Sequence, residues 1–279
     1  MIGVVHLIRA SNDRAPFTAF LASNRGHSSG VAHELVLLMK GFSSREAAAP
    51  LLSMVHDLEP KTIFIPDRGF DLSAYGAAAR LLDHERLCFL NSYSVVLADE
   101  WLAHLARALD DRRVGLVGAG GSWESQAEWR RGRMHRWPQQ LAGLRRARRD
   151  YPRFPNPHIR TNAFMIERVA LLEMDLERAS DKRTTYLLES GRRSITRRIQ
   201  GQGLRAVVVA RDGRSYDVED WPASHTFRSG DQENLLVADN QTSHYEAASA
   251  RGRRRLSRDT WGRRHALALT APGREVGLS

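Results

Sequence analysis

The sequence predicts an α/β fold in which helices cover both faces of a mostly parallel β-sheet. Short apolar runs alternate with segments of helical periodicity over the first 120 residues. The runs lack the regular polar alternation of strands that face water on one side, which indicates parallel strands buried on both faces. Glycine, proline or polar residues follow each run and predict loops at the strand ends.

The predicted elements follow the chain in order. Apolar runs predict strands at 4–8, 34–39, 62–65, 87–90 and 114–117, and later at 159–166 and 204–211. Apolar residues spaced three or four positions apart predict helices at 17–22, 45–58, 72–82, 101–109, 168–176 and 185–200. We expect the last of these helices to be entered near Glu189.

Charge and composition divide the chain into a main domain and two basic segments. The net charge is +10, and only three of the 42 basic residues are lysines. Eight arginines and no acidic residue lie at 129–149, and eight more lie at 251–279. We expect one domain over 1–248, a basic insertion at about 125–158, and a mobile Arg-rich tail at 249–279 with one helix around 261–269. The arginines indicate solvated surfaces or attraction to nucleotide phosphates, anionic lipid or nucleic acid.

Several classes of protein are excluded by what the sequence lacks. The single cysteine, Cys88, cannot form an internal disulfide or a Cys-cluster zinc site. There is no Gly-Lys-Ser/Thr for a P-loop, no glycine fingerprint after the first strand, and no Gly-x-Ser-x-Gly elbow. No apolar run approaches the ~18 residues of a spanning helix, and the N-terminus is typical of a strand rather than a signal peptide. We therefore expect a cytoplasmic protein.

The loops after the predicted strands are the expected ligand site. In open α/β sheets ligands bind beyond the carboxyl ends of the parallel strands. The polar stretches in these positions are 9–13, 40–44, 67–71, 91–94 and 118–124.

Three segments together resemble the GT-A nucleotide-sugar glycosyltransferases, especially the family 2-like and rhamnan-synthesis-like bacterial members. The first is DRGFDLSAY at 67–75, similar to the turn and helix that these enzymes place against the donor nucleotide. The second is LCFLNSYS at 87–94, similar to the strand that leads into their metal-binding Asp-x-Asp. The third combines 114–119 with IRTNAFMI at 159–166, similar to the acceptor-side strand. The likeness covers about residues 1–245.

The resemblance implies transfer of a sugar from a nucleotide-diphosphate donor, with a UDP-sugar expected first. The acceptor would be a hydroxyl on a glycan or a lipid-linked molecule, in the synthesis of bacterial surface polysaccharide or glycolipid. Such an enzyme would be cytoplasmic and peripheral to the inner face of an anionic membrane. Two less favoured hypotheses remain open. One is a catalytically silent GT-A-like binding or scaffold protein, and the other is a basic nucleic-acid-binding protein, which lacks a recognition motif.

Candidate site residues follow from the resemblance and from the chemistry of sugar transfer. The resemblance implies a general base at a helix start, where Glu189 stands, with Asp181 second. Arg160 is the preferred partner of the leaving diphosphate, ahead of Arg192, Arg193 and Arg228. The residues expected to bind the nucleotide-sugar are Arg9, Ser11, Asp71, Asn91, Ser92 and Trp123, and Trp221 is a second candidate for stacking on a sugar ring. Asp71 is also a candidate N-cap of its helix.

The metal site departs from the family pattern. Asn91-Ser92-Tyr93-Ser94 stands where metal-dependent members have two aspartates that hold Mg²⁺ or Mn²⁺. Amides and hydroxyls do not supply the negative charge that a hard dication prefers. Three alternatives remain open. The metal is held by substrate phosphates with His225 or Asp239, arginines replace it, or the chain is silent.

Overall fold

The computed structural model describes residues 1–127 and 145–268, and all structural statements concern these residues. The strands are β1 (Ile2–Arg9), β2 (His33–Lys40), β3 (Lys61–Ile65), β4 (Arg86–Leu90), β5 (Val95–Val96), β6 (Val114–Gly118), β7 (Gly121–Ser122), β8 (His158–Ile159), β9 (Ala163–Glu167), β10 (Arg205–Val209), β11 (Ser215–Tyr216) and β12 (Val237–Ala238).

The α-helices are α1 (Ala15–Gly26), α2 (Arg45–Leu52), α3 (Asp71–Leu81), α4 (Trp101–Leu109), α5 (Arg168–Leu172), α6 (Lys182–Ser190), α7 (Ile195–Gly201), α8 (Asn240–Glu246), α9 (Ala250–Trp261) and α10 (Arg263–Ala268). Short 3₁₀ helices lie at Ser53–Leu58, Leu176–Arg178 and Val218–Ser224. None of the helices in the described residues is long and apolar enough to cross a membrane.

The main sheet has eight strands in the order β11-β10-β6-β9-β4-β1-β2-β3. Strands β1 to β4 pair in parallel, and β6 pairs in parallel with β10. Strand β9 lies antiparallel between β4 and β6, and β11 is an antiparallel edge. The α/β class, with a mostly parallel sheet flanked by helices, is therefore confirmed.

Each face of the sheet carries its own apolar core. Along β1, Val5 and Leu7 belong to one core, and Val4 and Ile8 belong to the other. This is the alternation of side chains along a strand, and here both faces are apolar because both are covered. The first core is closed by α3, α5, α6, α7 and α9, and the second by α1, α2 and α4.

Side-chain caps explain where several helices begin. Ser44, Asp181, Ser194, Asp239 and Ser249 each precede a helix and accept a backbone N–H from its first turn. Such a cap satisfies one of the donors that a helix start leaves unpaired.

Two predicted elements differ from the structure near the site. The strand expected at 159–166 is two strands, β8 and the antiparallel β9, joined by a turn at 160–162. The helix expected at 185–200 is also two helices, because α6 ends at Ser190 and Ser194 caps α7. Glu189 therefore lies in the last turn of α6, and its predicted place at a helix start is wrong.

The predicted mobile tail is partly folded. Residues Ala250–Trp261 form α9, and the Trp261 side chain is 1% exposed in the first core. Its Nε1–H donates to the carbonyl of Phe227 at 3.0 Å. The expectation of a mobile tail is therefore wrong for 250–261, where Ser257, Thr260 and Trp261 form the buried side of an otherwise charged helix. Residues 128–144 of the predicted insertion and 269–279 lie outside the described residues.

Candidate functional site

The carboxyl edge of the parallel strands gathers polar residues from distant parts of the chain. Since β9 runs in the opposite direction, the residues that precede it reach the same edge as the residues that follow β4. The backbone N–H of Asn91 donates to the carbonyl of Asn162 at 2.8 Å, and the Ser94 hydroxyl donates to the same carbonyl at 3.1 Å. The turn at 160–162 thus belongs to this edge.

Glu189 is the most perturbed carboxyl group of the site. It is partly buried in the last turn of α6, and Thr161 Oγ1 donates to its Oε1 at 3.0 Å. Burial raises the pKa of Glu189 from 4.5 to about 7. The Thr161 hydrogen bond and the charge of Arg160 lower this pKa, and the charge of Asp71 raises it further. A carboxyl group with a pKa near 7 can accept a proton in neutral solution.

Asp71 faces the same region from α3. It is the first residue of α3, and Phe70 occupies the N-cap position, so the alternative N-cap interpretation of Asp71 is wrong. The Arg9 guanidinium, at the end of β1, forms an ion pair with Asp71. The two predicted donor-site residues are therefore brought together, and Arg9 balances a charge that acts on Glu189.

A buried lysine, Lys40, holds the loop before α3, a role that the sequence did not predict. Lys40 ends β2, its side chain is 0% exposed, and its Nζ donates to Asp67 Oδ1 at 2.6 Å and to the Gly69 carbonyl at 2.9 Å. The hydrogen bond from Lys40 lowers the pKa of Asp67. Gly69 has φ +63°, a conformation that favours glycine, so the loop before α3 has a defined shape.

Asn91 to Ser94 form a tight turn after β4. Asn91 Oδ1 accepts the backbone N–H of Tyr93 at 3.0 Å and the Ser94 hydroxyl at 3.1 Å. The carbonyl side of the Asn91 amide is thus used by the turn itself, and its NH₂ group is the part left for a ligand.

A small pocket lies between this turn and the loop after β1. Its walls include His6, Arg9, Asn12, Phe17 and Ser92, and it is open to solvent on one side with room for about one water molecule inside. His6 Nδ1, Asn12 Nδ2 and Ser92 Oγ are buried and have no hydrogen-bond partner among the described residues. Buried polar groups normally find partners, so this wall of the pocket is suited to a polar ligand or to water.

The imidazole of His6 is neutral in this pocket. Its ring stacks on Phe20 with centroids 3.7 Å apart, and burial lowers the pKa of His6 to about 3. Ser11, predicted for the same loop, is exposed, and Asn12 lines the pocket instead.

Arg160 and Asp239 form a buried ion pair. Arg160 Nη2 donates to Asp239 Oδ2 at 2.7 Å, and the two side chains are 12% and 2% exposed. The guanidinium also lies 3.7 Å from the ring centroid of Phe227. Asp239 Oδ1 accepts the backbone N–H groups of Gln241 and Thr242, which caps α8. Asp239 is therefore a structural partner of Arg160.

The described residues do not fit a divalent metal ion. Asp239 has both oxygens engaged, and His225 Nδ1 lies 2.7 Å from Glu233 Oε1, so the two predicted ligands have different partners. No group of three or more His, Cys, Asp or Glu side chains in the described ranges is arranged to hold a metal. The turn at 91–94 offers no carboxylate, which a hard dication prefers.

The aromatic candidates pack within the protein. Trp123 contacts Trp261 and His265 edge to face, with centroids 5.8 and 5.2 Å apart. Trp221 is 0% exposed and its Nε1 donates to the Tyr216 carbonyl, so the hypothesis that it stacks on a sugar is wrong.

The remaining charged candidates have structural contacts. Asp181 caps α6 and lies exposed at its start, at the opposite end of the helix from Glu189. Arg192 donates to the carbonyls of residues 148 and 149, and Arg193 is exposed. Arg228 is 7% exposed and bonds to Glu124, Thr260 and Gln241.

Comparison with known proteins finds similarity only among solved structures. No protein-family model and no curated protein matches the chain. The mannosyltransferase PcManGT from Pyrobaculum calidifontis, solved with GDP-Man and Mn²⁺, superposes at TM-score 0.45 with 15% identity over 80% of this chain. Glucosyl-3-phosphoglycerate synthase from Mycobacterium tuberculosis, solved with Mn²⁺, UDP and phosphoglyceric acid, gives 0.36 with 14% identity over 61%. S. aureus TarS 1–349, solved with UDP-GlcNAc, gives 0.38 with 12% identity over 62%.

These proteins are glycosyltransferases of GT-A type. The chain spans 59%, 56% and 47% of the length of the three solved chains.

Sequence reasoning missed several residues that shape the site. His6 is hidden within an apolar strand, and Lys40 and Thr161 have no motif of their own. Thr161 had one available signal, because it lies inside the IRTNAFMI stretch next to Arg160. Tyr75 likewise lies inside DRGFDLSAY, a motif that gives it no role.

Proposed function

We propose that the protein transfers a sugar from a nucleotide-diphosphate donor to a hydroxyl acceptor, with Glu189 as the general base. One observation carries the proposal: the carboxyl group of Glu189 is held by Thr161 at the carboxyl edge of the sheet, where burial raises its pKa to about 7. In the reaction Glu189 takes the proton of the acceptor hydroxyl. The acceptor oxygen then bonds to the anomeric carbon of the sugar as the bond from that carbon to the diphosphate oxygen breaks. A base whose pKa lies near the working pH suits this step.

The pocket beside the turn at 91–94 is the proposed place of the donor nucleotide. Its interior has room for about one water molecule, so its unpartnered groups on His6, Asn12 and Ser92 support contact with a heterocycle or ribose at its mouth through a bound water. Arg9 lines the same pocket, and its guanidinium forms an ion pair with Asp71. A UDP-sugar is the donor we expect first.

We assign stabilisation of the negative charge on the leaving diphosphate to arginine side chains. Arg160 uses Nη2 for Asp239, which fixes its guanidinium within electrostatic range of Glu189 and leaves its other N–H groups for an anion. The donor set near the turn at 91–94 does not fit a metal ion, and no step of the proposed reaction requires one. A carboxyl group with a raised pKa at the ligand edge is typical of catalytic sites, which supports the active alternative over the silent one.

Thermal unfolding with UDP, GDP, CDP and TDP, each with and without Mn²⁺ or Mg²⁺, tests donor binding. A diphosphate at a hundredfold excess over its dissociation constant stabilises the folded state by about 2.7 kcal/mol, which is a rise of roughly 5 °C in Tm for a chain of this size. The nucleotide that gives the rise then sets the donors for a transfer assay. No rise with any nucleotide would contradict the proposed donor site.

Glu189→Gln tests the proposed base. Loss of the base is expected to reduce the transfer rate by about 10²–10⁴-fold, while nucleotide binding is retained because the pocket is unchanged. Glu219→Gln is the matched control, since Glu219 is an exposed glutamate in the 3₁₀ helix at 218–224. Equal rates for Glu189→Gln and the control would refute the assignment of the base.

The acceptor side of the proposal includes a membrane-bound glycan or lipid. Arg251, Arg254, Arg255, Arg258, Arg263 and Arg264 are exposed on α9 and α10 and support peripheral contact with anionic lipid in the cytoplasm. The protein should sediment with vesicles that contain 30% anionic lipid (roughly the charge of an inner leaflet) and not with neutral vesicles, and ~0.5 M salt should release it. Equal sedimentation with both kinds of vesicle would argue against this contact, and salt-sensitive binding to duplex DNA would favour the nucleic-acid alternative instead.

A further inference from the structure

The Tyr75 hydroxyl is a buried polar group that the proposed reaction has not used. Tyr75 is 0% exposed, and its hydroxyl has no hydrogen-bond partner among the described residues. An unpaired buried hydroxyl is costly, because the group loses its hydrogen bonds to water on folding and gains none. Such groups call for a partner in another state of the protein.

Tyr75 lies on the side of α3 that carries Asp71. Tyr75 follows Asp71 by four residues in α3, so the two side chains lie on the same face of the helix. Long side chains in a helix lean towards its N-terminus, which here is the end that carries Asp71. The Tyr75 ring packs against Phe89 at 4.6 Å and against Phe164 at 6.0 Å between centroids.

Glu189 lies near residues that also neighbour Tyr75. Phe164 lies three residues after Thr161, whose hydroxyl holds Glu189 Oε1. Helix α3 also packs directly against α6, which carries Glu189 in its last turn. Tyr75 lies near enough to Glu189 for the charge of Glu189 to act on its hydroxyl, although the two groups are not hydrogen-bonded in this structure.

Charged and titratable groups surround Glu189, but only one of its two carboxylate oxygens accepts a hydrogen bond from a described residue. The titratable and charged groups that face it are Asp71 and Tyr75 from α3, Arg160 from the turn before β9, and Tyr151 from the segment before β8. Thr161 donates to Oε1, whereas Oε2 has no hydrogen-bond partner in the part of the chain that the structure describes. Burial raises the pKa of Tyr75, and the charges of Asp71 and Glu189 raise it further, so its hydroxyl stays protonated and can donate.

We propose that Tyr75 is a positioning residue whose hydroxyl donates a second hydrogen bond to the Glu189 carboxylate when Glu189 is ionised. This inference rests on the proposed function of Glu189 as the base. A protonated Glu189 is neutral and needs little support, whereas the carboxylate is stabilised by each further donor. The second donor holds the carboxylate until it accepts the proton of the acceptor hydroxyl, and the proton transfer then weakens the bond to Tyr75.

Tyr75→Phe removes the donor and keeps the ring that packs on Phe89 and Phe164. Loss of a hydrogen bond to the ionised form should raise the pKa of Glu189 by about one pH unit. The acid limb of the pH profile of kcat/KM should move up by the same amount. At pH values below the Glu189 pKa, kcat/KM of the variant should be about tenfold lower than that of the wild type. At pH values well above the pKa, the two values of kcat/KM should be nearly equal. A residue that only fills the core would leave the position of the limb unchanged.

A second readout separates failure of this inference from failure of the proposed function. The Glu189 carboxyl is titrated by NMR in protein labelled with ¹³C-glutamate, without any substrate, and assigned with Glu189→Gln. A Glu189 pKa that is higher in Tyr75→Phe supports the hydrogen bond even if no donor sugar is transferred. An unchanged Glu189 pKa in Tyr75→Phe overturns the inference even if transfer is found.

Tyr151→Phe is the matched control. Tyr151 is the other tyrosine whose pKa responds to Glu189, so its hydroxyl is the competing donor. The acid limb of the kcat/KM profile and the Glu189 pKa measured by NMR should both shift to higher pH in Tyr75→Phe and stay unchanged in Tyr151→Phe. The reverse pattern overturns the proposal. If Tyr75→Phe does not fold, a crystal structure of the wild-type protein at about pH 8.5 tests the hydrogen bond directly. The Tyr75 hydroxyl then lies at ~2.7 Å from a Glu189 oxygen if the inference holds, and a longer separation without contact overturns it.

Discussion

Glu189→Gln should stabilise the folded protein in alkaline solution while it abolishes the proposed base. Burial holds the pKa of Glu189 at about 7 in the folded state against an ordinary 4.5. Because the folded pKa is raised, the folded state binds more protons than the unfolded state between these values, and stability falls as pH rises through this window. The difference of about 2.5 pH units, at ~1.36 kcal/mol each, corresponds to a loss of about 3 kcal/mol above pH 7.

Urea unfolding from pH 4 to pH 9 measures this loss. Near pH 4 the wild-type carboxyl is protonated in both states, so the wild type and Glu189→Gln should have similar free energies of unfolding. At about pH 8.5 the glutamine variant should be more stable by up to about 3 kcal/mol, because glutamine carries no charge to bury. The glutamine carbonyl can still accept the hydrogen bond from Thr161.

The comparison isolates Glu189 from the other groups that titrate. His6 and His158 also have pKa values lowered by burial, to about 3 and about 4. They are the same in both proteins, so their effects cancel in the difference between wild type and variant. Glu219→Gln should follow the wild-type curve at every pH. Parallel curves for the wild type and Glu189→Gln would refute the perturbed carboxyl, and with it the main support for the proposed base.

Two further predictions concern the scaffold of the site. Trp261→Ala should lower the free energy of unfolding by about 3–5 kcal/mol in a urea titration, since the side chain is 1% exposed. The exposed Arg254→Ala on the same helix should change it by less than about 0.5 kcal/mol, and equal effects would show that α9 is not part of the core. Asp239→Ala should cost about 3 kcal/mol or more, because it leaves Arg160 buried without its partner and removes the cap of α8. Asp231→Ala, at a side chain that is 85% exposed, is the control, and a comparable loss there would contradict the buried ion pair.

The strands were predictable from sequence because apolar runs report burial directly. Leu87 to Leu90 and Val114 to Val117 lie in β4 and β6, as their composition indicated. The direction of β9 was not predictable, since an apolar run such as 163–166 reads the same in a parallel and an antiparallel strand. This direction brings Arg160 and Thr161 to the ligand edge, so the connection between Thr161 and Glu189 could not be inferred.

Helix ends and weakly apolar helices account for the other errors. The periodicity at 185–200 continues through Gly191 and Ser194, although these residues separate α6 from α7. Helix α9 buries Ser257, Thr260 and Trp261 and otherwise carries five arginines, so its composition resembles that of a solvated tail. The order of its residues indicates a helix only once Trp261 is known to be buried.

The raised pKa of Glu189 depends on the whole arrangement rather than on one contact. Burial alone raises it, Asp71 raises it further, and Thr161 and Arg160 pull it back to about 7. Arg9 pairs with Asp71 and Asp239 pairs with Arg160, so each charge that acts on Glu189 is itself held by an opposite charge. A carboxyl in such surroundings responds to any ligand that engages Arg9 or Arg160. Binding of an anionic donor near Arg160 should weaken the attraction that favours the carboxylate, and so raise the affinity of Glu189 for the proton of an acceptor hydroxyl.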